Sequence, residues 1–278
     1  MNEPWPAPSI PASPPAGWFP DPYGSADLRY WDGEQWTQFR AHAAAPEREP
    51  FRTLPPIAAV TAIVVTIVSL TLSKYVVQWL EHYELPIPVY ILIAGVIGYG
   101  PLVVCCRLAV DTWGTGSIRN DLGFKFRKVD LGWGPVTWLA CIGAQIVVAV
   151  IVYVLHIPIV SNTEGVSRFA GDRAYIISFA VLAVIAAPLV EELVFRGLIL
   201  RGLRSRMPAW AAVGLQGVLF GSAHFDPVRG TGNIGLVMIL SAVGIVLGGA
   251  AYLLRRLAPT MISHAMTNTL ALIVILTR

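Results

Sequence analysis

Charge is scarce in this chain of 278 residues: Asp, Glu, Lys and Arg make up only 13% of it, about half the roughly 25% of an average soluble domain. A mean hydropathy of +0.62 agrees with that deficit, and together they exclude water as the only solvent. Cysteine is also rare. Cys105, Cys106 and Cys141 are the only three; they lie in or beside apolar runs, too few for a disulfide framework, and read as packed thiols. The net charge of +3 is too small to argue for a nucleic-acid partner. Residues 1–16 are rich in Pro, Ala and Ser and contain no apolar core segment, so no cleaved secretory signal is expected there.

What is present divides near residue 56. Ahead of it come a disordered leader (1–16), a Trp-rich module (17–40) and a linker (41–56, AHAAAPEREPFRTLPP). The module reads GWFPDPYGSADLRYWDGEQWTQFR. Asp32-Gly33 between two runs of strand formers predicts a β-hairpin with a tight two-residue turn of type I′. Trp18, Trp31 and Trp36, with Pro20 and Pro22 against them, are the expected miniature core. The tryptophans serve either to hold the module together or as a docking face for an unknown cytoplasmic partner.

Beyond Pro56 the sequence becomes a succession of apolar stretches, each near the ~20 residues that a helix needs to cross a bilayer. They fall at 57–80, 87–110, 133–156, 174–200, 208–225, 234–254 and 258–276, so the expected fold is an all-α polytopic membrane protein of about seven transmembrane helices behind a small β module. Lipid offers no partners to free backbone groups, which makes the spans helical. The run from Gly244 to Gly248-Gly249-Ala250 offers a small-residue face for close helix approach. Twelve Lys or Arg residues, from Arg48 and Arg52 to Arg255 and Arg256, fall on the N-terminal side of the alternation. Four fall on the other: Arg168, Arg173, Arg229 and Arg278. The positive-inside rule therefore places the N-terminus in the cytoplasm and the chain in the plasma membrane, with its basic loops facing anionic lipid rather than nucleic acid.

Several polar residues interrupt the last spans. The stretch PLVEELVFRGL carries Glu191, Glu192 and Arg196. Glu192 and Arg196 stand four apart on a helix and can pair. Glu191, about 100° around, is left without a local cation, and a carboxylate in low dielectric is suited to act as a general base. Phe220 and His224 in LFGSAHF, and His264 and Asn268 in ISHAMTN, repeat the same spacing of four. Each side chain alone could be a hydrogen-bonded core residue or a device fixing helix register. Taken together they supply a carboxylate, two imidazoles and a carboxamide, a set able to deprotonate water, hold an oxyanion and protonate a leaving amine.

EExxxR at 191–196, FxxxH at 220–224 and HxxxN at 264–268, in order on successive apolar segments, resemble the CAAX prenyl protease type II and bacteriocin-processing (Abi, or CPBP) family. The likeness covers roughly 118–276 and includes NDLGF at 120–124, similar to that family's Leu-Gly loop. The module GWFPDP…RYWDG…WT resembles a short actinobacterial domain of unknown function. The first resemblance implies an intramembrane endopeptidase in which Glu191 with His224 activates water, His264 and Asn268 hold the oxyanion, and Glu192, Arg196 and Phe220 support the site. Its substrate would be a peptide or the tail of a membrane protein. A metal-free mechanism is favoured, because Asn268 is a poor zinc ligand and no HExxH occurs. A zinc ion held by Glu191, His224 and His264 is the alternative. A catalytically inactive scaffold or immunity-type protein of the same fold, a transporter and a sensor are the competing classes.

Overall fold

A computed structural model of the protein describes residues 14–24, 27–41, 51–160, 171–226 and 230–277. Most of the expected leader and linker, with Arg48, Arg168, Arg229 and Arg278 from the charge count, lies outside the described residues. The chain divides into two compact units, Met1–Glu49 and Pro50–Arg278.

The first unit holds a three-stranded antiparallel sheet, β1 (Gly17–Pro20), β2 (Leu28–Trp31) and β3 (Trp36–Ala41), in the order β1-β2-β3. The expected hairpin is β2–β3, and β1 is a third strand the turn signal does not reveal. The turn itself corrects the two-residue expectation. Trp31 pairs with Trp36, so residues 32–35 form a four-residue loop. The Asp32 carboxylate accepts the N–H groups of Glu34 and Gln35 at 2.8 and 2.7 Å. A short acidic side chain that captures the backbone two and three residues on stabilises this wider loop instead.

The miniature core also differs from expectation. Trp18 is 48% exposed, whereas Arg29 is buried at 7%. Arg29 bonds to Asp21 Oδ1 at 2.8 Å and to the Thr37 carbonyl at 2.9 Å. Trp31 and Trp36 meet edge to face at 5.3 Å. So small a sheet cannot enclose three indoles; Trp31 and Trp36 lie against each other and Trp18 against Tyr30, while a buried ion pair ties the strands.

The second unit is helical: α1 (Pro56–Leu80), α2 (Ile87–Trp113), α3 (Ile118–Asp121), α4 (Asp130–Val154), α5 (Arg173–Arg204), α6 (Ala209–Ser222), α7 (Ile234–Leu254) and α8 (Ala258–Leu276). Proline begins several of them, at Pro56 in α1 and Pro259 in α8, where its missing N–H costs nothing. Six of these helices are long and apolar enough to cross a membrane. Val64, Ile67, Leu92, Leu108, Ile146 and Val147 expose large apolar side chains along them, as lipid-facing surfaces do. This is a multi-pass membrane protein.

The expected span at 208–225 is shorter in the structure. Helix α6 has only 14 residues, about 21 Å at 1.5 Å per residue, and ends at Ser222 rather than running through 225.

Three features position the later helices. First, α5 is one continuous helix interrupted by wide π turns at Val181–Ala186 and Leu193–Ile199; such turns re-aim side chains and recur at functional sites. Second, α6 and α7 approach closely through glycines. A methyl group on Gly217 would collide with Ile245, one on Gly221 with Ser241, and one on Gly244 with the backbone of Gly217. Third, the loops at the N-terminal end of α1 are knotted together. Asp121 accepts the N–H groups of Thr115 (2.7 Å) and Ser117 (3.2 Å) and pairs with Arg52 at 2.8 Å. Burial alone would raise its pKa, but these backbone and hydroxyl donors and the Arg52 guanidinium outweigh it and hold the carboxyl below its ordinary range. Leu122 is fully buried and packs against Gly197, and Gly123, at φ +77, accepts the Leu257 N–H at 2.9 Å. The NDLGF segment thus lies beneath α5 and against the start of α8.

Candidate active site

Helix α5 carries the glutamate pair at the end of its short α-helical stretch, Ala187–Glu192, between the two π turns. Glu192 is fully buried and so is Arg196. Arg196 NH1 donates to Glu192 Oε1 at 2.9 Å, the pairing expected from their spacing. The guanidinium also lies over the Phe220 ring, 4.3 Å from its centre, and its NH2 reaches the Gly244 carbonyl at 3.4 Å. Phe220 therefore packs against a cation from one side and against both imidazoles from others. Its ring centre is 5.1 Å from that of His224 and 5.7 Å from that of His264.

His264 stands between the two glutamates. Its Nδ1 is 3.0 Å from Glu192 Oε1, and its Nε2 is 3.9 Å from Glu191 Oε2. A carboxylate can only accept, so Nδ1 carries the hydrogen that Glu192 receives. That bond turns Nε2 toward Glu191. The Glu191 oxygen facing it, Oε2, is buried and accepts no hydrogen bond from a protein group. Its other oxygen accepts the Tyr99 hydroxyl at 2.9 Å. Glu191 thus has neighbours that the reading of its own helix could not supply, an imidazole from α8 and a phenol from α2.

His224 lies beyond the end of α6, in the turn after Ser222, not inside a span as expected. Its Nδ1 is 2.9 Å from the carbonyl of Phe220, and the Asn233 side-chain amide donates to the backbone carbonyl of His224 at 3.3 Å. Asn268 donates through Nδ2 to the carbonyl of Ala183 at 2.7 Å. Helix geometry explains that contact. In the first π turn the Ala187 N–H is directed to Leu182, and Pro188, one residue on, has no N–H. The Ala183 carbonyl is thereby left without its usual helical partner, and the carboxamide from α8 satisfies it.

The structure thus gathers Glu191, Glu192, Arg196, His264 and Phe220 into one contact network, with His224 against Phe220 and Asn268 bound to the α5 backbone. Among the described residues no three His, Cys, Asp or Glu side chains are placed to hold a metal ion. The donor set considered for zinc, Glu191, His224 and His264, is not gathered into such a group; Nδ1 of each imidazole is held by another partner, which leaves its Nε2 as the nitrogen a metal would take.

Sequence reasoning missed Tyr99 and Asn233. Tyr99 had a signal. It sits 12 residues into α2, about 18 Å along its axis, far from the interfacial belt where membrane tyrosines usually lie. Asn233 had none.

Residues 173–270 match the family model described as type II CAAX prenyl endopeptidase Rce1-like. Residues 16–49 match that of a protein of unknown function, DUF2510. No curated protein and no solved structure matches the chain. The first match spans α5 to α8, the helices that carry the two glutamates, both histidines and Asn268, and it supports an intramembrane protease function.

Proposed function

We propose, from the premise that the chain carries a type II CAAX prenyl endopeptidase domain, that it hydrolyses a peptide bond near the end of a membrane-associated substrate by means of a water molecule activated by Glu191. The observation that carries this reading is the facing pair, Glu191 Oε2 and His264 Nε2, at 3.9 Å. Glu191 Oε2 takes a proton from water, and the oxygen attacks the carbonyl carbon of the scissile bond. The carbonyl oxygen becomes an oxyanion, which His264 Nε2 stabilises as a hydrogen-bond donor when the ring carries a hydrogen on both nitrogens, the one on Nδ1 staying with Glu192. Glu191 then returns its proton to the amide nitrogen, the C–N bond breaks, and a carboxylic acid and an amine leave, the acid giving up its remaining proton to water. His224, partly exposed beside Phe220, orients the attacking water. Asn268 contributes a second N–H to the oxyanion while the first supports Ala183. Glu192 and Arg196 touch no reacting atom; they hold the imidazole in place.

The N-terminus faces the cytoplasm of a plasma-membrane protein in this reading, because the basic residues Arg52, Arg201 and Arg256 lie at the end where α1 begins. The module preceding α1 is then available to a cytoplasmic partner.

The test is cleavage of a farnesylated CAAX peptide carrying a fluorophore and quencher, using the full chain in proteoliposomes. Wild type is expected to cut it. Glu191→Gln and His264→Ala should each lose about 100-fold or more with unchanged membrane insertion. Equal turnover by wild type and Glu191→Gln would leave the scaffold reading in its place.

A further inference from the structure

We infer that Tyr99, on a helix outside the segment that matches the endopeptidase family, is a positioning residue that selects which oxygen of Glu191 acts as the base. The inference rests on the proposed role of Glu191 and deepens it.

Tyr99 donates its phenolic hydrogen to Glu191 Oε1 at 2.9 Å. The bond is charge-assisted when the carboxylate is ionised. The terminal torsion of a glutamate is broad and nearly two-fold, so an untethered carboxylate can swing either oxygen toward its neighbour. With Oε1 held by the phenol, Oε2 alone is directed at His264 Nε2, and Oε2 accepts no hydrogen bond from a protein group. One oxygen is thus committed to the scaffold and the other reserved for chemistry.

The surrounding backbone supports this arrangement. Gly95, one turn before Tyr99 on the same face of α2, would place a methyl group 2.8 Å from Leu182 of α5. A larger residue there would require the end of the Leu182 side chain to move. Pro101 lies inside α2, where it removes the hydrogen bond to the Ile97 carbonyl and bends the ladder next to Tyr99. The phenol is partly buried against the core that includes Val190, Val194 and Phe195. Phenylalanine would fill the same volume and leave Oε1 without its donor.

The experiment is a double-mutant cycle on the full chain in proteoliposomes with the farnesylated CAAX peptide. Tyr99→Phe should lower kcat about 10- to 100-fold, with KM within twofold and the melting temperature close to that of wild type. In the Glu191→Gln background the same substitution should add no further loss, because Tyr99 acts only through that carboxylate. A Tyr99→Phe enzyme with kcat within twofold of wild type would overturn the inference while leaving the role of Glu191 intact. So would a loss matched by an equal fall in melting temperature, or one that persists undiminished beside Glu191→Gln. A wild-type chain that does not cut the peptide would overturn the parent reading, and the inference with it.

Discussion

Glu192 Oε1 receives two hydrogen bonds from opposite directions, one from Arg196 NH1 at 2.9 Å and one from His264 Nδ1 at 3.0 Å. A single oxygen therefore joins a cation on its own helix to an imidazole on α8. The guanidinium compensates a carboxylate that could not otherwise remain ionised where it is buried. The carboxylate in turn decides which way the imidazole points.

Removing the cation leaves that carboxylate unpaired in a dry interior. Arg196→Met should destabilise the helical unit by about 3–5 kcal/mol, read as lower yield of folded protein and a lower melting temperature in detergent. The double variant Arg196→Met/Glu192→Leu should recover much of that stability yet remain inactive, because His264 loses its anchor. Full recovery of cleavage in the double variant would contradict the anchoring role.

The link between Asn268 and Ala183 is expected to depend on Pro188. Asn268→Ala should cost about 1–3 kcal/mol, the usual penalty for an unsatisfied buried polar group. Pro188→Ala restores an N–H one residue after Ala187 and offers the orphaned carbonyl a helical donor. In that background Asn268→Ala should be milder, and strictly additive effects in thermal unfolding would refute the account.

Close packing of α6 against α7 is the next expectation. Gly221→Val and Gly217→Leu each force a side chain into space held by Ser241 or Ile245. Each should destabilise by at least about 1–3 kcal/mol, while substitution at Gly214, which has open space around its Cα, should be tolerated. The comparison is read from melting temperatures of the three variants.

Acid should loosen the loop around Asp121. Its carboxyl is held below the ordinary range in the folded chain. The stabilisation is therefore complete above the unfolded value of about 3.9 and is lost as pH falls through the lower folded value. The protection factors of the Thr115 and Ser117 amides, exchange rates corrected for the intrinsic pH dependence, should fall below about pH 4. In Asp121→Asn the same amides should show low protection factors at neutral pH that acid does not change.

Much of the architecture could be read from composition and residue spacing because membranes impose strong rules. Long apolar runs must be helical, and ionisable residues within them must find partners; Glu192 and Arg196 obeyed both at a spacing of four. The wide turns of α5 were not legible, since nothing in VLAVIA or LVFRGLI distinguishes a five-residue from a four-residue hydrogen-bond step. Those turns decide which residues of α5 face α8, so the position of His264 between the two glutamates could not be read either. The placement of Tyr99 depends on contacts 92 residues apart in sequence, beyond any local pattern. The Asp-Gly signal located the hairpin correctly but named the wrong loop, because the same aspartate that favours a tight turn can instead bridge across a longer one.

Helix α6, at about 21 Å, is some 9 Å shorter than a typical hydrocarbon layer. The chain following it, with His224 and Asp226, consequently cannot be shielded by α6 from the aqueous phase opposite its starting end. Hydration would reach inward there, or the bilayer would pinch locally to meet it. The proposed hydrolysis consumes water, and a truncated wall beside His224 would supply a route for it to arrive.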